Sequence, residues 1–104
     1  MVYVTQECFG KNLLPAREYG AMIVLLGPQQ LVLDTSHAIA ELKEKLFDFN
    51  DKDFILPVGD PVAIGLAAAI AAGYNQGKVA FLKWDRQEQR YYSVQSTIGK
   101  DFFA

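Results

Sequence analysis

Gly59 and Asp60 stand in the turn Val58-Gly59-Asp60-Pro61, which opens an Ala/Gly-rich helix. Backbone amides at a helix start can hold an anion. In open α/β sheets, ligands sit beyond the carboxyl ends of the strands. Glu7, Cys8, Gly27, Gly59, Asp60, Asp85 and Arg86 are expected at that end. Gly59, Asp60, Asp85 and Arg86 form the candidate small-ligand site. The chain has no G-x-G-x-x-G and no G-x-x-x-x-G-K-S/T, and an acidic cap repels phosphate. Asp60 is therefore first an N-cap, with Pro61 at the first helical position, where a missing N–H costs nothing.

Three other groupings could carry chemistry. Glu7, Asp60 and Asp85 are oxygen donors suited to Mg²⁺, with Lys83 or Arg86 on a phosphoryl group, if three strand ends are neighbours. The competing expectation is a turn residue at Asp85 and a solvated Glu7. Cys8 and His37 would make a nucleophile–base pair if brought together. Otherwise Cys8 is a small half-buried residue and His37 belongs to the first turn of a helix. Lys83, Trp84, Arg86, Arg90, Tyr91 and Tyr92 mix cations and aromatics on one hairpin, a composition that can stack bases and hold a phosphate backbone. Asp85 and Glu88 interrupt it, and strand alternation turns either Lys83 or Trp84 inward. No catalytic residue is assigned and no cofactor is expected.

The elements that would position these residues follow from apolar periodicity. Val2–Thr5 reads as a first strand. Glu7–Gly20 carries Gly10, Asn12, Pro15 and Gly20 and reads as loop, with one helical turn at Ala16–Tyr19. Ala21–Leu26 is a continuous apolar run, expected as a strand buried on both faces. Asp34, Thr35 and Ser36 offer N-caps for a helix with a stripe at Ile39, Leu42, Leu46 and Phe49, and with Glu41 and Lys45 paired on its wet side. Asn50–Asp53 ends that helix. Phe54–Val58 is a strand with Pro57 near its end, since proline cannot donate to a ladder. The second helix runs from the Asp60 cap to about Tyr74. Lys78–Trp84 is a strand and Asp85–Gln89 a turn. Arg90–Ile98 is an edge strand with Tyr92, Val94 and Ile98 on one face and Tyr91, Ser93 and Gln95 on the other. The order β-β-α-β-α-β-β predicts an α/β, Rossmann-like sheet in two or three layers, with a mostly parallel core and an antiparallel carboxyl-terminal hairpin. Phe102 and Phe103, in the tail, fit either an exposed docking segment or a return to the core.

The second helix is apolar nearly all round. Val62, Leu66, Ile70 and Tyr74 form a bulky stripe, Gly65, Ala69 and Gly73 a small-residue stripe, and Ala63, Ala67 and Ala71 a third row. Such a helix should be buried nearly all round. Two arrangements cover it: close packing between sheet and first helix, or a second subunit. The second makes Gly65, Leu66, Ala69, Ile70 and Gly73 a homo-oligomer interface.

The 104 residues suffice for one domain, 1–104. Hydrophobic residues make up 51% and charged residues 21%, a globular balance. A net charge of -2 disfavours sequence-independent nucleic-acid binding, which draws on a basic excess. One cysteine excludes an intrachain disulfide and suits a reducing compartment. The first residues lack a basic and apolar leader pattern, and Val62–Gly73 is too short to span a bilayer. A cytoplasmic location with no membrane partner is expected.

Phe54–Tyr92 contains ILPVGDP, an Ala-rich helix, LKWDRQ and a Tyr pair. This stretch resembles a family of small α/β proteins encoded by tailed bacteriophages, and Leu14–Gly20 fits the likeness more loosely. The resemblance implies an accessory protein acting inside a bacterial host and brings no catalytic residues. The expected function is a non-enzymatic, self-associating binding module for a host or phage protein. The alternatives are a nucleotide- or single-strand-binding protein and a metal-dependent phosphoryl-transfer enzyme.

Overall fold

The β-branched and aromatic run after Met1 forms β1, Val2–Gln6, and every residue in it is buried. Pro15 sits in the first turn of a 3-10 helix, Leu14–Tyr19, which leads to β2, Met22–Leu26. There follow α1 (Ser36–Lys45), β3 (Phe54–Leu56), α2 (Pro61–Tyr74), β4 (Lys78–Asp85), β5 (Arg90–Thr97) and a short 3-10 turn, Lys100–Phe103. The computed structural model describes residues 1–28 and 35–103. Asp34, one of the expected caps of α1, lies outside the described residues. Thr35 takes the N-cap position without a side-chain hydrogen bond.

The five strands make one sheet in the order β2-β1-β3-β4-β5. β1 pairs in parallel with both β2 and β3, aligning Val2 with Met22 and with Phe54. β3 pairs in parallel with β4, and β5 runs antiparallel to β4 from Asp85↔Arg90 to Lys78↔Thr97. The chain is therefore α/β with a parallel core and an antiparallel final hairpin, as the element order predicts. Its winding reverses between β1 and β3, where doubly wound sheets open their ligand crevice.

Alternation along β1 separates two cores. Tyr3 joins Ile55 and Val79 beneath α1 and α2, with Leu42, Leu46, Phe49 and the row Ala63, Ala67 and Ala71. Val2 and Val4 join Leu56, Leu82 and Tyr91 on the opposite face, covered by Ala16, Leu13 and Tyr19 of the 3-10 segment and its approach. One face thus has two helices, while the other has a single thin cover.

Three expectations change. β2 is an edge strand, not one buried on both faces: Ile23 is 37% and Val24 44% exposed, and only Leu25 and Leu26 are buried. β3 stops at Leu56, because Pro57 offers no N–H to the ladder. The Leu46 and Phe49 part of the apolar stripe lies past the end of α1 at Lys45, yet both residues are buried. The Glu41–Lys45 pair forms at 3.1 Å, and the same ammonium donates to the Leu25 carbonyl at 2.8 Å, tying α1 to β2. At the other end of the sheet, Asp51 accepts from Asn75 at 2.9 Å and from Lys78 at 3.1 Å. Those hydrogen bonds hold its carboxyl below the usual range.

Candidate functional site

The reversal between β1 and β3 is closed by the chain itself. Thr5, fully buried, accepts from the Val58 amide at 2.8 Å and donates to the Val58 carbonyl, so a side chain takes over the ladder where Pro57 ends it. Gln6 lies next to it and is 4% exposed. Its Oε1 accepts from the Asp60 amide at 2.7 Å, and its Nε2 donates to the Gly27 carbonyl at 3.0 Å. One amide thereby bridges the ends of β2 and β3 across β1. Gly59, at φ +97°, lies directly against it: a Cβ there would fall 2.5 Å from Oε1 of Gln6.

Asp60 completes the closure. Its Oδ1 accepts from the Val62 amide at 2.7 Å, and Ile64 begins the helical ladder on the Asp60 carbonyl. Gln6 and Asp60 thus supply the acceptors that an anion would bring to this helix start. Asp60 is a cap, as the sequence indicates. Asp60→Ala is expected to cost about 1 kcal/mol, with Asp60→Ser keeping most of the stability, read by urea unfolding. Equal losses in both variants would argue against the cap.

The other expected site residues disperse. Asp85 and Arg86 belong to the β4–β5 turn, where Oδ1 of Asp85 accepts from the amides of Gln87 at 2.9 Å and Glu88 at 3.2 Å. Trp84, Asp85, Arg86, Gln87 and Tyr92 line an open depression of about 340 Å³ at the hairpin tip. Gly59 and Asp60 do not take part in it. Among the described residues, no group of three His, Cys, Asp or Glu side chains is gathered closely enough to hold a metal ion, so Glu7, Asp60 and Asp85 do not converge. Cys8 packs half-buried against the core under the 3-10 helix, whereas His37 is exposed in the first turn of α1 on the other face. These two residues keep their ordinary structural roles.

The cation–aromatic hairpin also divides. Register pairs Trp84 with Tyr91 and Lys83 with Tyr92, on opposite faces of the sheet. Tyr91 is buried and meets Trp84 edge-on at 4.9 Å, and its carbonyl accepts from the Tyr19 hydroxyl at 2.9 Å. Burial pushes the Tyr91 phenol up, so it stays protonated. Arg90 pairs with Glu18 at 3.1 Å, and that hydrogen bond holds the guanidinium firmly protonated.

Sequence reasoning missed two features. Gln6 is one. The other is a cavity of about 460 Å³ on the thinly covered face, bounded by Lys11–Leu13, Leu56–Val58, Leu82–Trp84 and Tyr91. An asparagine and a leucine following a glycine were the available signals for its loop wall.

The residues expected at an oligomer interface lie on one helix. Ala63, Ala67 and Ala71 face the core of the domain, while Gly65, Ala69 and Gly73 are exposed and Leu66 and Ile70 are half-buried. Beside them an apolar groove of about 500 Å³ runs from Ala68 and Ala69 over Phe81 to Ile98 and Phe102. Phe102 is 80% exposed, so it does not return to the core. None of the helices is long and apolar enough to cross a membrane among the described residues.

A protein-family model described as Phage Pam3 gp32-like protein matches residues 1–98. This extends the likeness seen in Phe54–Tyr92 to nearly the whole chain. Curated proteins and solved structures give no match.

Proposed function

The chain belongs to the Phage Pam3 gp32-like protein family, and on that premise we propose that it is a non-enzymatic binding module of the phage that associates with itself through α2 and acts in the host cytoplasm on a host or phage protein. The observation that carries this reading is the outward face of α2. Pro61–Tyr74 has no charged residue, so the side turned to water is as apolar as the side turned to the sheet. Val62 is 53% exposed, and Gly65, Ala69 and Gly73 follow it along the surface. A surface helix normally places polar residues there. A contiguous apolar patch of this kind marks a contact surface.

Gly65 supports the same reading. A Cβ at that position would meet nothing within 4 Å, so packing inside the chain does not require glycine. Absence of a side chain instead lets a second helix approach closely. The adjoining groove, with Ile98 50% exposed at its rim, widens the surface beyond the helix.

Ala69→Glu places a charge in the middle of this face at an exposed helical position, where a change of about ±0.5 kcal/mol in fold stability is expected. Light scattering coupled to size exclusion should give a multiple of the chain mass for the parent and the single-chain mass for Ala69→Glu, with unchanged far-UV circular dichroism. A parent that stays monomeric as concentration rises would sink the proposal.

A further inference from the structure

The cavity on the thin face has the makings of a small-molecule site. Its volume of about 460 Å³ falls in the range of roughly 300–1,000 Å³ common to such sites. It also lies at the carboxyl ends of β3 and β4, the end at which doubly wound sheets bind ligands, next to the crevice that Gln6 fills. Leu56, Val58 and Leu82 belong to the core beneath it and give it an apolar floor.

The side chains around that floor indicate what it would hold. Trp84 is 39% exposed, and its edge contact with Tyr91 at an interplanar angle of 67° fixes its orientation. It offers an aromatic surface to a planar guest. Apart from the Tyr91 phenol, which can both donate and accept, the polar side-chain groups turned to the cavity are donors. Lys11 brings an ammonium and Trp84 an indole N–H, which cannot accept. Asn12 accepts from the Leu14 amide through Oδ1 at 3.2 Å, which directs its Nδ2 donor elsewhere. Alternation sends the Lys83 side chain to the opposite face, that of Phe81, so Lys11 is the cation of this rim. The lining contains no carboxylate.

An apolar floor, an aromatic wall and a rim of donors complement a planar apolar body with a negative end. We propose that this cavity binds a small aromatic molecule carrying one anionic group. A nucleoside monophosphate and an aromatic carboxylate share that chemistry. The inference is independent of the self-association reading, because α2 lies on the opposite face of the sheet.

Trp84 is the sole tryptophan; it also borders the depression at the hairpin tip, so emission reads binding and the amide shifts tell the two places apart. The full-length protein is titrated with AMP and benzoate, and with the neutral adenosine and benzamide, while amide shifts are followed by NMR. The expected result is a saturable change of Trp84 emission with AMP, benzoate or both. Shifts should centre on residues 11–13 and 82–84, and the neutral partners should bind about tenfold more weakly. A response to only one anion identifies the ligand class. Lys11→Glu, in an exposed loop, should weaken the anions by about tenfold without changing the melting temperature. No saturable response to either anion up to about 10 mM overturns the proposal. So do shifts centred elsewhere, neutral partners that bind as tightly, or anion binding undiminished in Lys11→Glu.

Discussion

Gly77→Ala should lower the unfolding midpoint by roughly 12–24 °C, the consequence of a loss of about 3 kcal/mol in a domain of this size. Gly77 joins α2 to β4 at φ +81°. Its amide donates to the Ala72 carbonyl at 2.7 Å, and its carbonyl accepts from the Ile98 amide at 2.7 Å. One residue thus satisfies a carbonyl of the last helical turn and closes the far end of the β4–β5 ladder. A left-handed backbone costs an alanine about 1–2 kcal/mol. The added Cβ would also lie 2.6 Å from the Gly99 carbonyl oxygen and 2.7 Å from its nitrogen, both main-chain atoms that cannot rotate away. Moving them means shifting Gly99 and the ladder bond at Ile98, a further cost of about 1–3 kcal/mol for an overpacked site. Gly99→Ala is the control. It has φ +104° but open space around its Cβ, so it should show only the conformational part. Equal losses in the two variants, measured by thermal unfolding, would show that the contact with Gly99 is unimportant.

Local signals made α2 and the β4–β5 hairpin legible. Asp60 and Pro61 are a cap and a first-turn residue whatever surrounds them, and α2 does run from Pro61 to Tyr74. The alternation in Arg90–Ile98 puts Tyr91 and Tyr92 on opposite faces, and the register of β5, Arg90–Thr97, bears this out. What failed depended on position in the sheet. The run Ala21–Leu26 has the composition of a central strand, but the strand order leaves β2 at an edge. Hydrophobicity alone does not distinguish the two. The division of Lys83 from Trp84 and Tyr91, in contrast, follows from strand alternation, which the sequence already indicates, and the register shows it. The cavity was illegible because its walls come from the β1–β2 connection and from β3, β4 and β5, and its shape depends on how thinly the 3-10 helix covers that face.

Gln6 is the sharpest case, because nothing adjacent in sequence marks it. Its partners, Gly27 and Asp60, are 21 and 54 residues away. Gln6→Ala should cost about 1–3 kcal/mol, since it removes two part-buried hydrogen bonds and leaves the Asp60 amide, at the half-buried start of α2, without its side-chain acceptor. Gln6→Glu tests the same geometry through pH. A protonated carboxyl can accept from the Asp60 amide and donate to the Gly27 carbonyl, as the glutamine does. An ionised one can only accept. It would then face the Gly27 carbonyl oxygen and, nearby, the Asp60 carboxylate, so the folded state should hold the proton more tightly than the unfolded chain. A carboxyl whose folded pKa is raised contributes its stability in full below the unfolded value, about 4.3 for glutamate, and loses it as pH rises through the folded value. Gln6→Glu should therefore approach the parent's stability in acid and fall away from it toward neutrality, while Gln6→Ala stays destabilised by a constant margin. Urea unfolding of the three proteins across that range reads the difference directly. Parallel curves for Gln6→Glu and the parent would mean that the Nε2 donor contributes nothing to closing the crevice.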